Sequence, residues 1–72
     1  MITLDSLPVG RSCTANTLLV QGDLRQRFFD LGIVPGTEIT VLFESPAGDP
    51  RAYSIRGAVI ALRNQDARKI II

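Results

Sequence analysis

Few residues in this 72-residue chain could do chemistry, and their types and spacing bound what it does. There is no histidine, which removes the commonest metal ligand and the usual acid/base group near neutral pH. Cys13 is the only cysteine. A Ser–His or Cys–His nucleophile pair therefore has no base. A zinc site needs three or four ligands, and cysteine and histidine together supply one. A hard-cation site made of carboxylates needs several acids converging, and the seven acids here are scattered singly. No GxxxxGK[ST] or GxGxxG segment is present to cradle a phosphate. These patterns point to a non-enzyme with no cofactor. Cys13 reads as a small buried hydrophobe, with a metal or redox role as the alternative.

Contact chemistry is better supplied. All but one of the eight basic residues are arginine, whose planar fork makes paired hydrogen bonds to carboxylates. Arg25, Arg27 and Arg56 are candidate partner contacts, each weighed against plain surface solvation. Phe29 lies beside the apolar stripe of a predicted helix. It either widens that stripe or serves as an exposed aromatic anchor. Leu42 and Val59 are apolar on predicted outer faces; single exposed aliphatics are ordinary, but grouped with Phe29 they form a patch.

The elements that must position these residues follow from pattern and punctuation. Leu4 and Leu7 flank a polar pair and plug one end of a core. A first strand is expected over about 11–20, with a bulge near Asn16 or Thr17 to reconcile its imperfect alternation. Gln21-Gly22 breaks it. Asp23 is the expected N-cap, with Gln26 three residues on. Leu24, Phe28 and Leu31 then share a helical face, and Gly32 ends the helix. Val34-Pro35-Gly36-Thr37 is a type II turn. Ile39, Val41 and Phe43 alternate inward with Glu38, Thr40 and Glu44 outward, leaving Leu42 as an apolar exception on the polar face. Two prolines and a glycine make 45–50 a loop. Tyr53 and Ile55 point inward from the next strand, Gly57 reverses the chain, and Ile60 and Leu62 are the inward pair of the strand after it. Residues 63–67 read as one helical turn and 68–72 as a last strand.

About five short strands with one helix after the first cannot hide an apolar face unless the sheet curls. The expected fold is mainly β: a small, partly open SH3-like barrel forming a single domain over 1–72. An OB-like barrel is the alternative, but its helix usually falls between the third and fourth strands. No disulfide or metal staple is evident, so net stability rests on packing and is roughly 3–5 kcal/mol. The net charge of +1 argues against a dedicated nucleic-acid binder. The start lacks a signal-peptide pattern, no stretch approaches the roughly 20 apolar residues of a membrane span, and the lone free cysteine fits a reducing compartment. A cytoplasmic protein without membrane insertion is expected.

Four segments in series carry a family resemblance. Arg27-Phe28-Phe29-Asp30-Leu31-Gly32-Ile33-Val34-Pro35-Gly36-Thr37 resembles the helix–turn signature of the FeoA family, the ferrous iron transport protein A. Ser45-Pro46-Ala47-Gly48-Asp49-Pro50 resembles its "P-x-GDP" loop, which adds Asp49 to the candidate contacts. Arg56-Gly57 with Ile60-Ala61-Leu62-Arg63, then Asp66-Ala67, resembles its last two strands and the turn between them. Phe28 stands where the family usually has leucine. The resemblance implies an SH3-like accessory of the membrane ferrous iron transporter FeoB, which carries a GTPase domain, with recruitment to the inner face of the cell membrane. It also implies an alternative, a metal-responsive or protein-interaction module like the C-terminal domain of iron-dependent repressors. Weak self-association is left open. A reader of Pro-rich segments is disfavoured by the sparse aromatics, three Phe and one Tyr.

Overall fold

The computed structural model describes residues 1–72. A single 3-10 turn at Leu4–Ser6 leads to β1 (Ser12–Thr14), β2 (Thr17–Leu18), α1 (Gly22–Asp30), β3 (Glu38–Glu44), β4 (Arg51–Ile55), β5 (Ala58–Leu62), α2 (Asn64–Ala67) and β6 (Ile70–Ile71). Four strands form an antiparallel sheet in the order β1-β3-β4-β5, and β2 pairs with β6 in a second sheet. The two sheets share one core, in which Leu4, Phe28, Ile33, Ile39, Val41, Tyr53, Ile55 and Ile70 are fully buried. They are not joined into a closed hydrogen-bonded cylinder.

The expected first strand is in fact two, so the strands number six and the helix follows the second. The break falls at Ala15-Asn16. Ala15 N–H donates to Thr37 O at the β3 side, whereas Asn16 N–H donates to Ile71 O of β6. The chain thus changes sheets between adjacent residues. That change lets Ala15 be buried while Leu18 also packs on the core, which one continuous strand could not do.

Asp23 is not the N-cap. The helix begins at Gly22 after Gln21, and no side chain caps it. Asp23 sits in the first turn, where its charge favours the helix dipole, and Gln26 Nε2 donates instead to Asp30 Oδ1 at 2.9 Å. Phe28 is the one residue of the helix that is fully buried; Leu24 and Leu31 are half-buried beside it. Gly32 ends the helix with φ +85°, the left-handed conformation that glycine takes without a Cβ penalty.

Phe43, expected inward, is 59% exposed. Val41 pairs with Tyr53 but Phe43 pairs with Ala52, so Leu42 is an extra residue in β3. This bulge inverts the alternation, half-burying Leu42 and turning Phe43 to the outer face. The last strand is also shorter than expected, Ile70–Ile71. Arg51, outside the expected strand, opens β4 and is 5% exposed. Its guanidinium crosses the barrel to the first turn, donating from Nη1 to Asp5 O at 2.7 Å and from Nη2 to Leu7 O. One end of the core is closed this way.

Candidate docking surface

β4 and β5 are joined by Arg56-Gly57 alone, a two-residue turn with both φ positive, +51° and +80°. A positive φ is uncommon for arginine. Its side chain is fastened: Arg56 Nε donates to Gly32 O at 3.2 Å, and Thr37 Oγ1 donates to the same carbonyl at 3.0 Å. Val34 N–H in turn donates to Thr37 Oγ1 at 3.1 Å. The end of α1, the Pro35-Gly36 turn and the β4–β5 hairpin are therefore locked around one carbonyl. A methyl group on Gly32 would stand 2.6 Å from Arg56 Cδ, so glycine is what lets the arginine lie there.

Beside this lock opens a polar cleft of about 320 Å³ lined by Gly36, Thr37, Glu38, Thr40, Ser54, Arg56 and Gly57. It runs onto the outer face of the sheet. There Ser12, Thr40, Ser54 and Val59 form a cross-strand row, with the Ser12 and Thr40 hydroxyls 2.8 Å apart. In the neighbouring row, Phe43, Ala52 and Ala61, the two flanking residues are exposed and Ala52 between them is buried. Val59 is 67% exposed. One face thus presents a guanidinium, a carboxylate and hydroxyls at one end, and Phe43, Ala61 and Val59 at the other. That is an aromatic anchor beside polar groups, the makeup of a protein contact.

The sequence-predicted contacts fall in four places. Arg56 and Val59 both lie on the β4–β5 hairpin, Arg56 in its turn and Val59 opposite Ser54. Arg25 and Phe29 meet on α1, with the guanidinium 4.8 Å from the ring centre and Phe29 38% exposed; Arg27 is exposed on the same helix. Asp49 lies in the β3–β4 loop, where its Oδ1 accepts from Asn64 N–H at 2.9 Å while Asn64 Nδ2 donates to Gly48 O at 3.0 Å. Asp49 therefore caps the first turn of α2 from a distant loop. Leu42 sits at the bulge. Sequence reasoning missed Phe43 and the cleft residues Glu38, Thr40 and Ser54. The signal for Phe43 was present: an apolar Leu42 out of phase, directly before it, marks an extra residue.

Cys13 is half-buried opposite Ile39, and burial pushes its thiol above the ordinary 9.0. Burial likewise raises the Tyr53 phenol above 10.0, with the Arg51 guanidinium pulling partly back. Both groups release protons more readily when the chain unfolds. Their contribution to stability is complete below the unfolded values and is lost as pH rises through the folded ones. A denaturation midpoint that is level from about pH 7 to 8 and falls above it is expected, with a shallower fall in the Cys13→Ser, Tyr53→Phe double variant. An equally steep fall in that variant would remove these groups as the cause. No three Cys, Asp or Glu side chains gather closely enough to hold a metal ion, and no helix is long and apolar enough to cross a membrane.

Comparison with known proteins adds a lineage to this geometry. The FeoA domain family model matches residues 2–72. The solution structure of the FeoA protein from Chlorobium tepidum superposes with a TM-score of 0.90 at 28% identity, covering 97% of this chain and 67% of that one. A FeoA-like protein from Clostridium acetobutylicum gives 0.87 at 32% identity, covering 96% and 80%. The Stenotrophomonas maltophilia FeoA, solved with zinc and described as a prokaryotic SH3 domain protein, gives 0.85 at 24% identity, covering 99% and 88%. The fold is SH3-like. Curated proteins yield no match.

Proposed function

This chain belongs to the FeoA family, and from that premise we propose that it is an accessory of ferrous iron uptake that binds the cytosolic part of a FeoB-type GTPase transporter and modulates transport by contact, without catalysis of its own. The observation that carries the proposal is the outer sheet face, where Phe43 and Val59 stand exposed beside the polar cleft. A lone domain gains nothing from an exposed aromatic on a sheet, whereas a partner that covers it gains an anchor. Arg56, Val59 and Leu42 belong to or border this face. Arg25, Arg27, Phe29 and Asp49 are further candidate contacts. Partner binding of this kind places the protein in the cytoplasm, drawn to the inner membrane face by its transporter.

The test is a titration of the transporter's cytosolic domains, with and without guanine nucleotide, against the wild-type chain. Saturable binding is expected, weakened about tenfold by Phe43→Ser, a loss typical of an interface anchor. Phe43 is exposed, so this variant should keep its fold. Absence of binding at high micromolar concentration in every nucleotide state would sink the proposal.

A further inference from the structure

β5 ends the sheet order, so one side of it has no strand beside it. The two-residue hairpin decides which backbone groups face that side. Ile55 and Ala58 flank the turn and exchange hydrogen bonds, and in an antiparallel ladder every second pair repeats this. Ala58, Ile60 and Leu62 therefore bond to β4. Val59 and Ala61 direct N–H and C=O outward, and none of the turn, loop or cap hydrogen bonds of the chain engages them. Both residues are exposed.

Proteins usually blunt such an edge with a charge, a proline or a bulge. Ala58–Leu62 has none of these, and its register with β4 is unbroken. The nearest charges are Arg56 before it and Arg63 after it, both exposed, and the hairpin from Arg51 to Arg63 contains no acid. Arg56 is held through Nε, which leaves its outer nitrogens for a partner.

We propose that the free edge of β5 receives an extended apolar segment of a protein partner, flanked by acidic residues, which adds a fifth strand to the four-stranded sheet. Main-chain hydrogen bonds to Val59 and Ala61 supply affinity, as in strand addition generally. The segment's outward side chains pack beside Val59 and Ala61, and its acidic ends meet Arg56 and Arg63. A second copy of this chain fits poorly. Antiparallel self-pairing about Ile60 sets Arg63 opposite Gly57 of the other copy, next to Arg56, bringing like charges together. Only the identity of the partner rests on the transporter reading above.

The probe is a capped peptide alternating valine and threonine with two glutamates at each end, followed by amide hydrogen exchange on the full chain. At saturation the Val59 and Ala61 amides are expected to slow at least tenfold, with Ala58 and Ile60 unchanged. Arg63→Glu should weaken the peptide about tenfold, and a lysine-ended peptide should recover the loss. Val59→Pro removes one outward N–H, a change edge strands tolerate, and should abolish uptake; the charge swap decides the matter if that variant does not fold. Saturation without protection at Val59 and Ala61, or shifts confined to the Arg25–Phe29 helix face, overturns the inference. A transporter domain that binds folded Val59→Pro as tightly as wild type removes the transporter as the partner of this edge and leaves the proposed function standing. A peptide docked on β5 with no transporter binding supports the edge and removes the transporter.

Discussion

Arg51→Met is expected to unfold much of the protein at 25 °C, costing about 3–5 kcal/mol, measured by urea denaturation against wild type. The guanidinium is nearly enclosed, with 5% exposure, and serves two main-chain carbonyls, Asp5 O and Leu7 O, that belong to the first turn. Hydrogen bonds from a charged donor contribute about 1.5–3 kcal/mol each. Removing them leaves both carbonyls without their partner. The guanidinium carbon lies 5.7 Å from the Tyr53 ring centre, and the Nε faces Glu44 Oε2 at 3.8 Å, too long for a hydrogen bond and half open to solvent on the acid's side. The ion pair therefore contributes little, and Glu44→Gln should shift stability by no more than about 0.5 kcal/mol. The whole domain has roughly 3–5 kcal/mol to lose, so the arginine alone decides whether the first turn closes the barrel. If Arg51→Met stays within 1 kcal/mol of wild type, water reaches those carbonyls and the closure matters little.

Tyr53 yields the second large effect, and it divides between ring and hydroxyl. The side chain is fully buried on β4, between Val41 and Ile60 on the neighbouring strands. Tyr53→Ala should cost about 3–5 kcal/mol, the transfer loss plus a cavity the small core cannot refill. The hydroxyl is different. It is buried and has no hydrogen-bond partner in the protein. Removing an unpaired buried polar group is neutral or favourable, so Tyr53→Phe should leave stability unchanged or raise it by up to about 1 kcal/mol. Thermal melts of the two variants check both halves. A loss above 1 kcal/mol in the phenylalanine variant would show that the hydroxyl holds the core together.

These effects describe a domain whose interior is committed to folding and whose outer sheet face keeps Phe43 and Val59 exposed. Thr37 and Arg56 spend their side chains on Gly32 O, fixing the hairpin that carries Val59 and the free edge of β5. A rigid hairpin presents those groups already ordered, which lowers the entropy cost of binding.

Much of this was legible in the residues themselves. Strand and helix periodicity, the Pro35-Gly36 turn, Gly32 at the helix end and Gly57 in the hairpin are local signals, because each depends on a dihedral angle or on a spacing within a few residues. Family membership was legible for the same reason: the turns recur at characteristic intervals along the chain. What stayed hidden depended on partners distant in sequence. Ala15 and Asn16 look like one strand until Thr37 and Ile71 supply their separate hydrogen-bond partners. Phe43 looks inward until the pairing with β4 makes Leu42 supernumerary. Arg51 looks like a surface cation until carbonyls more than forty positions away turn toward it. Alternation along a strand says which residues share a side; only the neighbouring strand says which side faces the core, and so where the anchor and the open edge lie.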